Sequence, residues 1–236
     1  MPSRPSGVVL AGLAAVAALS LSACGNTSPG TASPGTAVNI GDQRLAASDV
    51  DDLSVAYCDG LEAQLKSAGQ VFPMSFVRAY VVRNLTVRAA AEQLGEQYDV
   101  TLPPSYDQAL RDLETQLAGF PEDRVDEVME VESVSAYVQA VQNEVGGALL
   151  AEEGTTDADD AAKQARGADA LQQWMSEHPA DINPRYGIAV STPSLDAPNL
   201  VDTSTSYALS PDAVAAANAE PDPEHAATLP SSQRCG

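Results

Sequence analysis

Aromatic and basic residues are both scarce in this chain of 236 residues. Phe, Trp and Tyr make up 5% of the sequence, whereas hydrophobic residues reach 44%, and much of that share is alanine. This composition favours a helical domain with a core of small side chains over a β-sandwich. Lys and Arg number 12 against 33 Asp and Glu, and the formal net charge is -21. A surface this acidic argues against nucleic acid as a partner, because binding phosphates needs clustered positive charge.

The sequence also lacks the motifs on which most enzymes depend. Neither of its two histidines, His178 and His225, has a metal-ligand spacing to another His, Cys or acidic residue. No Gly-x-Ser-x-Gly elbow and no phosphate-binding glycine loop occurs. Gly146-Gly147 comes nearest to such a loop, but it lies within a valine-rich helical pattern and indicates a close helix–helix contact or a kink. We therefore predict no catalytic residue, no metal ion, no cofactor and no enzymatic activity.

A long apolar run occurs only near the start of the chain, at residues 8–21, after Arg4. It ends in Leu21-Ser22-Ala23-Cys24, which resembles the lipobox of bacterial lipoprotein precursors. The resemblance implies that residues 1–23 are a signal peptide and that Cys24 is lipidated, for instance with palmitate. The protein is then expected on the extracytoplasmic face of the cell membrane, held there by its lipid anchor.

Composition divides the rest of the chain into three parts. Residues 24–37 repeat Ser-Pro-Gly-Thr-Ala and predict a disordered, flexible linker with a mean span of roughly 20 Å. Residues 38–190 carry the hydrophobic periodicity of a folded domain. Residues 191–236, rich in Ser, Thr, Pro and Asp, predict an extended tail.

The periodicity of the middle part predicts a mainly α domain of about five amphipathic helices, closed by a small two-stranded β element. Short strands are expected at residues 38–40 and 188–190. The helices are expected to begin near Ser48, Pro73, Pro104, Glu122 and Thr156. Ser48 with Asp51 matches a capping box, and Thr156 is a fair helix cap. The second helix is apolar on more than one side, which indicates that it packs between several neighbours or faces a groove.

Two cysteines remain once Cys24 is assigned to the lipobox. An even pair in an exported protein favours a disulfide between Cys58 and Cys235, and two unrelated free thiols are the alternative.

The order of elements resembles the N-terminal domain of the SurA and PrsA family of exported chaperones. A short strand leads into a first helix, a long second helix passes through Pro103-Pro104-Ser105 to a third, and the last helix runs into a short motif. That motif consists of Asn183, Pro184, Arg185, Tyr186 and Gly187. In the family, a strand near such a motif pairs with the first strand, and the helices form a groove for unfolded polypeptide. Many members also insert a parvulin prolyl-isomerase domain before the last helix, where this chain has only residues 152–160. The resemblance therefore implies peptide binding without isomerase activity.

The sequence thus predicts a membrane-tethered lipoprotein that holds unfolded or extended polypeptide. Phe72, Phe76 and Tyr80 are the candidate contact residues, because exposed aromatic side chains often mark binding sites. They could equally be ordinary core residues. The alternative function is that of a non-enzymatic accessory lipoprotein that docks a single folded envelope protein through its acidic surface.

Overall fold

The structure, a computed structural model, describes residues 34–195 and 222–236. The predicted signal peptide, Cys24 and most of the predicted linker lie outside the described residues. The part of the predicted tail from residue 196 to residue 221 also lies outside them. The protein is mainly α-helical with small antiparallel sheets, as the sequence predicts. The helices are α1 Ala47–Ala68, α2 Met74–Gln97, α3 Pro104–Gln116, α4 Val125–Glu132, α5 Val134–Glu152, α6 Asp160–Glu177 and α7 Pro223–Thr228. The strands are β1 Thr36–Ile40, β2 Gln43–Ala46, β3 Phe72–Pro73, β4 Asp181–Ile182 and β5 Arg234–Cys235.

The larger sheet has three strands in the order β2-β1-β4, and both pairings are antiparallel. Val38 of β1 lies opposite Ile182 of β4. The strand predicted at residues 188–190 is therefore wrong, and the pairing strand comes earlier. Since α6 ends just before Pro179, the chain is already extended when it passes β1. Ile188 and Val190 are buried in the core without forming a strand.

Helix α2 is the central element of the domain. It packs against α1, α4, α5, α6 and the first strand, and more than half of its 24 residues are buried. Burying a valine side chain contributes about 1.5–3 kcal/mol, and Val81, Val82 and Val87 are all fully buried. The breadth of the apolar surface of α2 thus comes from having several neighbours, which is one of the two outcomes that the sequence predicts.

The predicted fourth helix is divided in two at Ser133. Its valine face is buried as expected, through Val128 and Val131 in α4 and Val134, Val138, Val141 and Val145 in α5. Ser133 keeps helical dihedral angles, its N–H bonds to the Met129 carbonyl at 2.9 Å, and its carbonyl accepts from Tyr137 N–H at 3.0 Å. The chain therefore stays on a helical path through Ser133, which is why one apolar pattern runs through both α4 and α5.

Two predicted helix caps are wrong. Helix α1 follows β2 directly, so that Ala46 is the cap and the Ala47 N–H donates to the Gly35 carbonyl at 2.9 Å. The backbone of the sheet supplies this partner, and the Ser48 hydroxyl bonds to its neighbour Asp49 instead. Helix α6 begins three residues later than expected, with the Asp159 carboxylate accepting from Ala162 N–H at 2.8 Å.

Helices α5 and α6 cross closely at two glycines. A Cβ on Gly146 would collide with the carbonyl of Lys163, and one on Gly167 would collide with the carbonyl of Gln142. The interpretation of Gly146 as a close helix–helix contact is confirmed. Gly167, whose role the sequence analysis missed, is the matching small residue on the other helix.

The C-terminal residues fold back onto the first helix. Cys58 of α1 and Cys235 of β5 form a disulfide with their Cα atoms 5.6 Å apart, as predicted. β5 pairs with β3, with Cys235 opposite Phe72, and Ala226 of α7 is fully buried. The described end of the tail is therefore part of the domain, although the sequence predicts an extended segment there.

Candidate functional site

The three aromatic residues predicted to bind peptide lie along one side of the β3–α2 junction, in two separate pairs. Phe72 stacks on Phe76 with ring centroids 5.5 Å apart, whereas Tyr80 stacks on Tyr57 of α1 at 6.0 Å. All three are half-buried. The backbone of Phe72 is already paired with Cys235, so this edge is occupied by the chain's own C-terminal strand.

The two tyrosines are part of a polar network that extends to α4. The Tyr57 hydroxyl donates a hydrogen bond to the Glu132 carboxylate. Burial raises the pKa of Tyr57 far above its ordinary value, and the negative charge of Glu132 raises it further. The pKa of Tyr80 is also raised, first by burial and then by Glu132. Both phenols therefore stay neutral, and this network joins α1, α2 and α4 as a packing device.

The motif from Asn183 to Gly187 holds the end of α6 against the first sheet and α1. Asn183 donates from its backbone N–H to the Ala37 carbonyl at 2.8 Å and from its side chain to the Thr36 carbonyl at 3.0 Å. Pro184–Tyr186 form a turn of 3-10 helix that ends at Gly187, whose φ of 67° lies in the left-handed region. Arg185 pairs with Asp51 of α1, and Tyr186 is buried beside it. The motif thus has a structural role in closing the domain.

A cleft that the sequence analysis missed lies between the end of α2 and the middle of α5. It has a volume of about 530 Å³. Its apolar surface comes from Val100, Leu102, Tyr137 and Val141, and Gly95 of α2 also lines it. Three carboxylate residues line the same cleft: Glu92, half-buried, and Glu96 and Asp99, both exposed.

One wall of this α2–α5 cleft is aromatic. The Tyr137 ring meets the Tyr106 ring edge to face at 5.9 Å, and the Arg88 guanidinium lies 5.5 Å from the Tyr137 centroid. Arg88 is at the same time paired with Glu92 at 2.8 Å. Burial raises the pKa of Tyr137, and the charge of Glu92 contributes to the increase. The Tyr137 ring on this wall is therefore neutral, and the Arg88 cation next to the ring is already paired with Glu92.

Helix α3 follows Leu102 in the chain and packs only partly on the domain. Its stripe of Tyr106, Leu110 and Leu113 is half-buried, and none of its 13 residues is fully buried. A second cleft of about 400 Å³ is lined by residues of α3, α5 and α6, including Tyr106, Ala140 and Lys163. The sequence predicts the apolar stripe of α3 correctly, but periodicity does not tell how deeply a stripe is buried.

The described residues contain neither a candidate metal site nor a candidate membrane-spanning helix. Across residues 34–195 and 222–236, no group of three His, Cys, Asp or Glu side chains could hold a metal ion. Within the same ranges, no helix has the length and apolar character that crossing a bilayer requires. His178 stacks on Trp174 with ring centroids 4.3 Å apart, and its Nδ1 lies 2.9 Å from the Trp174 carbonyl. Its position is explained by packing at the end of α6.

The chain was compared with protein-family models, with curated proteins and with solved structures. No protein-family model, no curated protein and no solved structure matches the chain.

Proposed function

We propose that this protein is an exported, lipid-anchored module that binds unfolded or extended polypeptide in the α2–α5 cleft and in the neighbouring cleft lined by α3. The observation that carries the proposal is this pair of clefts on α5, one at the end of α2 and one beside α3, an amphipathic helix with a half-buried apolar stripe. A helix held in this way can shift without breaking the buried core, since its own contribution to that core is small.

The dimensions and chemistry of the two clefts fit the side chains of an extended polypeptide. Ligand sites in proteins commonly measure 300–1,000 Å³ and combine apolar walls with a few polar groups. Both clefts fall in this range, and they meet near residues 102–106 and 136–141. An extended polypeptide could therefore place successive side chains in the two clefts.

The packing of α2 moves the proposed binding surface away from the broad apolar surface of this helix. The broad apolar surface of α2 is already covered by its neighbours in the fold. Phe72, Phe76 and Tyr80 remain half-exposed and are a secondary contact surface. The α2–α5 cleft, by contrast, has half-buried apolar side chains, and no described residue of the C-terminal segment lines it.

The proposed location depends on the sequence alone. A lipidated Cys24 followed by the Ser-Pro-Gly-Thr-Ala linker would hold the domain on a tether at the outer face of the membrane. The acidic composition suits a domain that stays off anionic lipid. Polypeptides that emerge from export in an unfolded state would meet the domain there.

Suppression of the aggregation of a denatured client protein tests the proposal. The chain from residue 24 onward should suppress aggregation, and Leu102→Asp should weaken this effect because it places a charge on the cleft wall. Val55→Asp is the matched control, since Val55 is an apolar side chain of α1 that is 47% exposed. Phe76→Asp measures the contribution of the secondary surface, and far-UV circular dichroism checks that each variant is folded. Failure of the unmodified chain to suppress aggregation at stoichiometric excess would contradict the proposal.

Docking of a single folded partner is the second candidate, and the composition of the surface favours it. Val55 is the large hydrophobic side chain that is clearly exposed among the described residues, while the charge of the chain is strongly negative. Crosslinking in the native envelope separates the two functions, because a holdase gives many adducts and a docking protein gives one.

A further inference from the structure

We infer that the α2–α5 cleft selects polypeptide segments in which a Lys or Arg side chain lies next to an apolar one. This inference rests on the proposed function and names the class of segment that this cleft accepts. The apolar surface of Val100, Leu102 and Val141 would receive the apolar side chain, and the carboxylates of Glu96 and Asp99 would receive the cation.

The charges that line this cleft distinguish it from its neighbours. Lys163 lines the cleft formed by α3, α5 and α6, and Arg88 lines a smaller cleft between β2 and α2. No Lys or Arg is among the residues that line the α2–α5 cleft. Of its three carboxylates, Glu92 is paired with Arg88, whereas Glu96 and Asp99 have no ion pair with a described residue. An incoming cation would therefore meet two carboxylates that no cation already holds.

The end of α2 adds to the negative potential of this cleft. The Asp99 N–H donates to the Glu96 carbonyl at 3.2 Å and the Val100 N–H donates to the Gly95 carbonyl at 2.9 Å, which together close the helix in a Schellman motif. The carboxyl end of a helix carries a partial negative charge. Glu96 and Asp99 thus add to the field of the backbone, and a cation at this point is favoured by all three contributions.

The residue at the turn itself is unusual for a helix end. Asp99 has a φ of 50°, in the left-handed region where such motifs commonly use glycine. An acidic side chain at the negative end of a helix is also electrostatically unfavourable. Glycine would therefore stabilise this helix end better than Asp99 does, and the exposed carboxylate of Asp99 lies on the rim of the apolar cleft.

Three labelled peptides of equal length and equal apolar content, carrying two Lys, two Glu or two Ser, test the inference. Fluorescence anisotropy with the chain from residue 24 onward should show the Lys peptide binding at least tenfold more tightly than the Glu peptide. Added salt should reduce this preference, because exposed ion pairs are screened. The double variant Glu96→Gln with Asp99→Asn should weaken binding of the Lys peptide by about fivefold to tenfold, as expected for two exposed charge pairs.

The control variant removes two charges elsewhere. Glu122→Gln with Asp126→Asn makes the same change in net charge at exposed positions outside the cleft, and it should alter binding by less than twofold. Asn at position 99 tolerates the left-handed backbone, so the test variant should fold. Equal binding of the Lys and Glu peptides would overturn the inference and leave the proposed function standing. A preference for Lys that is unchanged in the Glu96/Asp99 variant would also overturn it, and binding of none of the peptides would contradict the proposed function itself.

Discussion

Two half-buried aromatic clusters in this protein are covered in different ways. Phe72 stacks on Phe76 and pairs with Cys235 of the C-terminal segment, which is held by a disulfide, by the pairing of β5 with β3 and by the buried Ala226. Tyr106 and Tyr137 lie at the base of α3, a helix without a fully buried residue. The first cover is covalent and the second depends on partial packing alone. Under the proposed function, a polypeptide would therefore reach the surface at Tyr106 and Tyr137 more easily than the surface at Phe72 and Phe76.

Removing the disulfide should have the largest effect on this contrast. The Cys58→Ser, Cys235→Ser double variant should lose about 3–5 kcal/mol of stability, since the bond closes a loop across a separation of 177 residues. Urea denaturation measures the loss, and hydrogen exchange should show new exposure at Phe72 and Phe76. The exchange of α3 should not change, and faster exchange there would show that the two covers are coupled.

The hydrogen bond between Tyr57 and Glu132, beside the disulfide, should make the stability of the protein depend on pH in the alkaline range. The pKa of Tyr57 is raised in the folded state, so its contribution to stability is fully present below the unfolded pKa of about 10 and is lost as pH rises above it. Tyr57→Phe should cost about 1–2 kcal/mol near neutral pH, because Glu132 loses its donor. Above pH 10 the stability of the variant should fall less steeply, by up to about 1.4 kcal/mol per pH unit. Urea midpoints at pH 8, 10 and 11.5 measure both effects, and parallel pH curves for the two proteins would contradict the role of Tyr57.

We expect the smallest effect at α3. Here the expected difference is between the local opening of α3 and that of α2, and not in the global stability of the protein. The backbone amides of α3 should exchange with solvent at a lower opening free energy than those of α2, because α2 is the central helix of the buried core and α3 is not. Hydrogen exchange with mass spectrometry resolves the two helices. Adding a peptide should slow the exchange of α3 and of the C-terminal end of α2, which lines the cleft, and leave the buried middle of α2 unchanged. Equal protection of the two helices in the free protein would show that α3 is as firmly held as the core.

Much of the fold could be predicted from local patterns in the sequence. The spacing of Val128, Val131, Val138 and Val145 identified a buried helical face, and the count of cysteines identified the Cys58–Cys235 pair. These features depend on residues close in sequence or on simple counting. The predicted signal peptide and lipidation at Cys24 stay predictions.

The features that the sequence analysis missed depend on where separate segments meet. The pairing of β4 with β1 requires knowing how far the chain has travelled after α6. The α2–α5 cleft requires knowing that the end of α2 and residues 100–102 lie opposite Tyr137 and Val141 of α5. Gly167 shows the same limit, because its partner on α5 becomes visible only when the two helices are placed side by side.

The disulfide also decides how the domain would respond to mechanical tension. A pull between the N-terminal side of α1 and residue Cys235 would pass along α1 to Cys58 and then directly through the sulfur–sulfur bond. Helices α2 to α6 lie within the bypassed loop of the chain and would carry none of that load. Without the bond, the same pull could draw out about 600 Å of extended polypeptide from the 177-residue separation. A single covalent link thus isolates the clefts from tension along this direction.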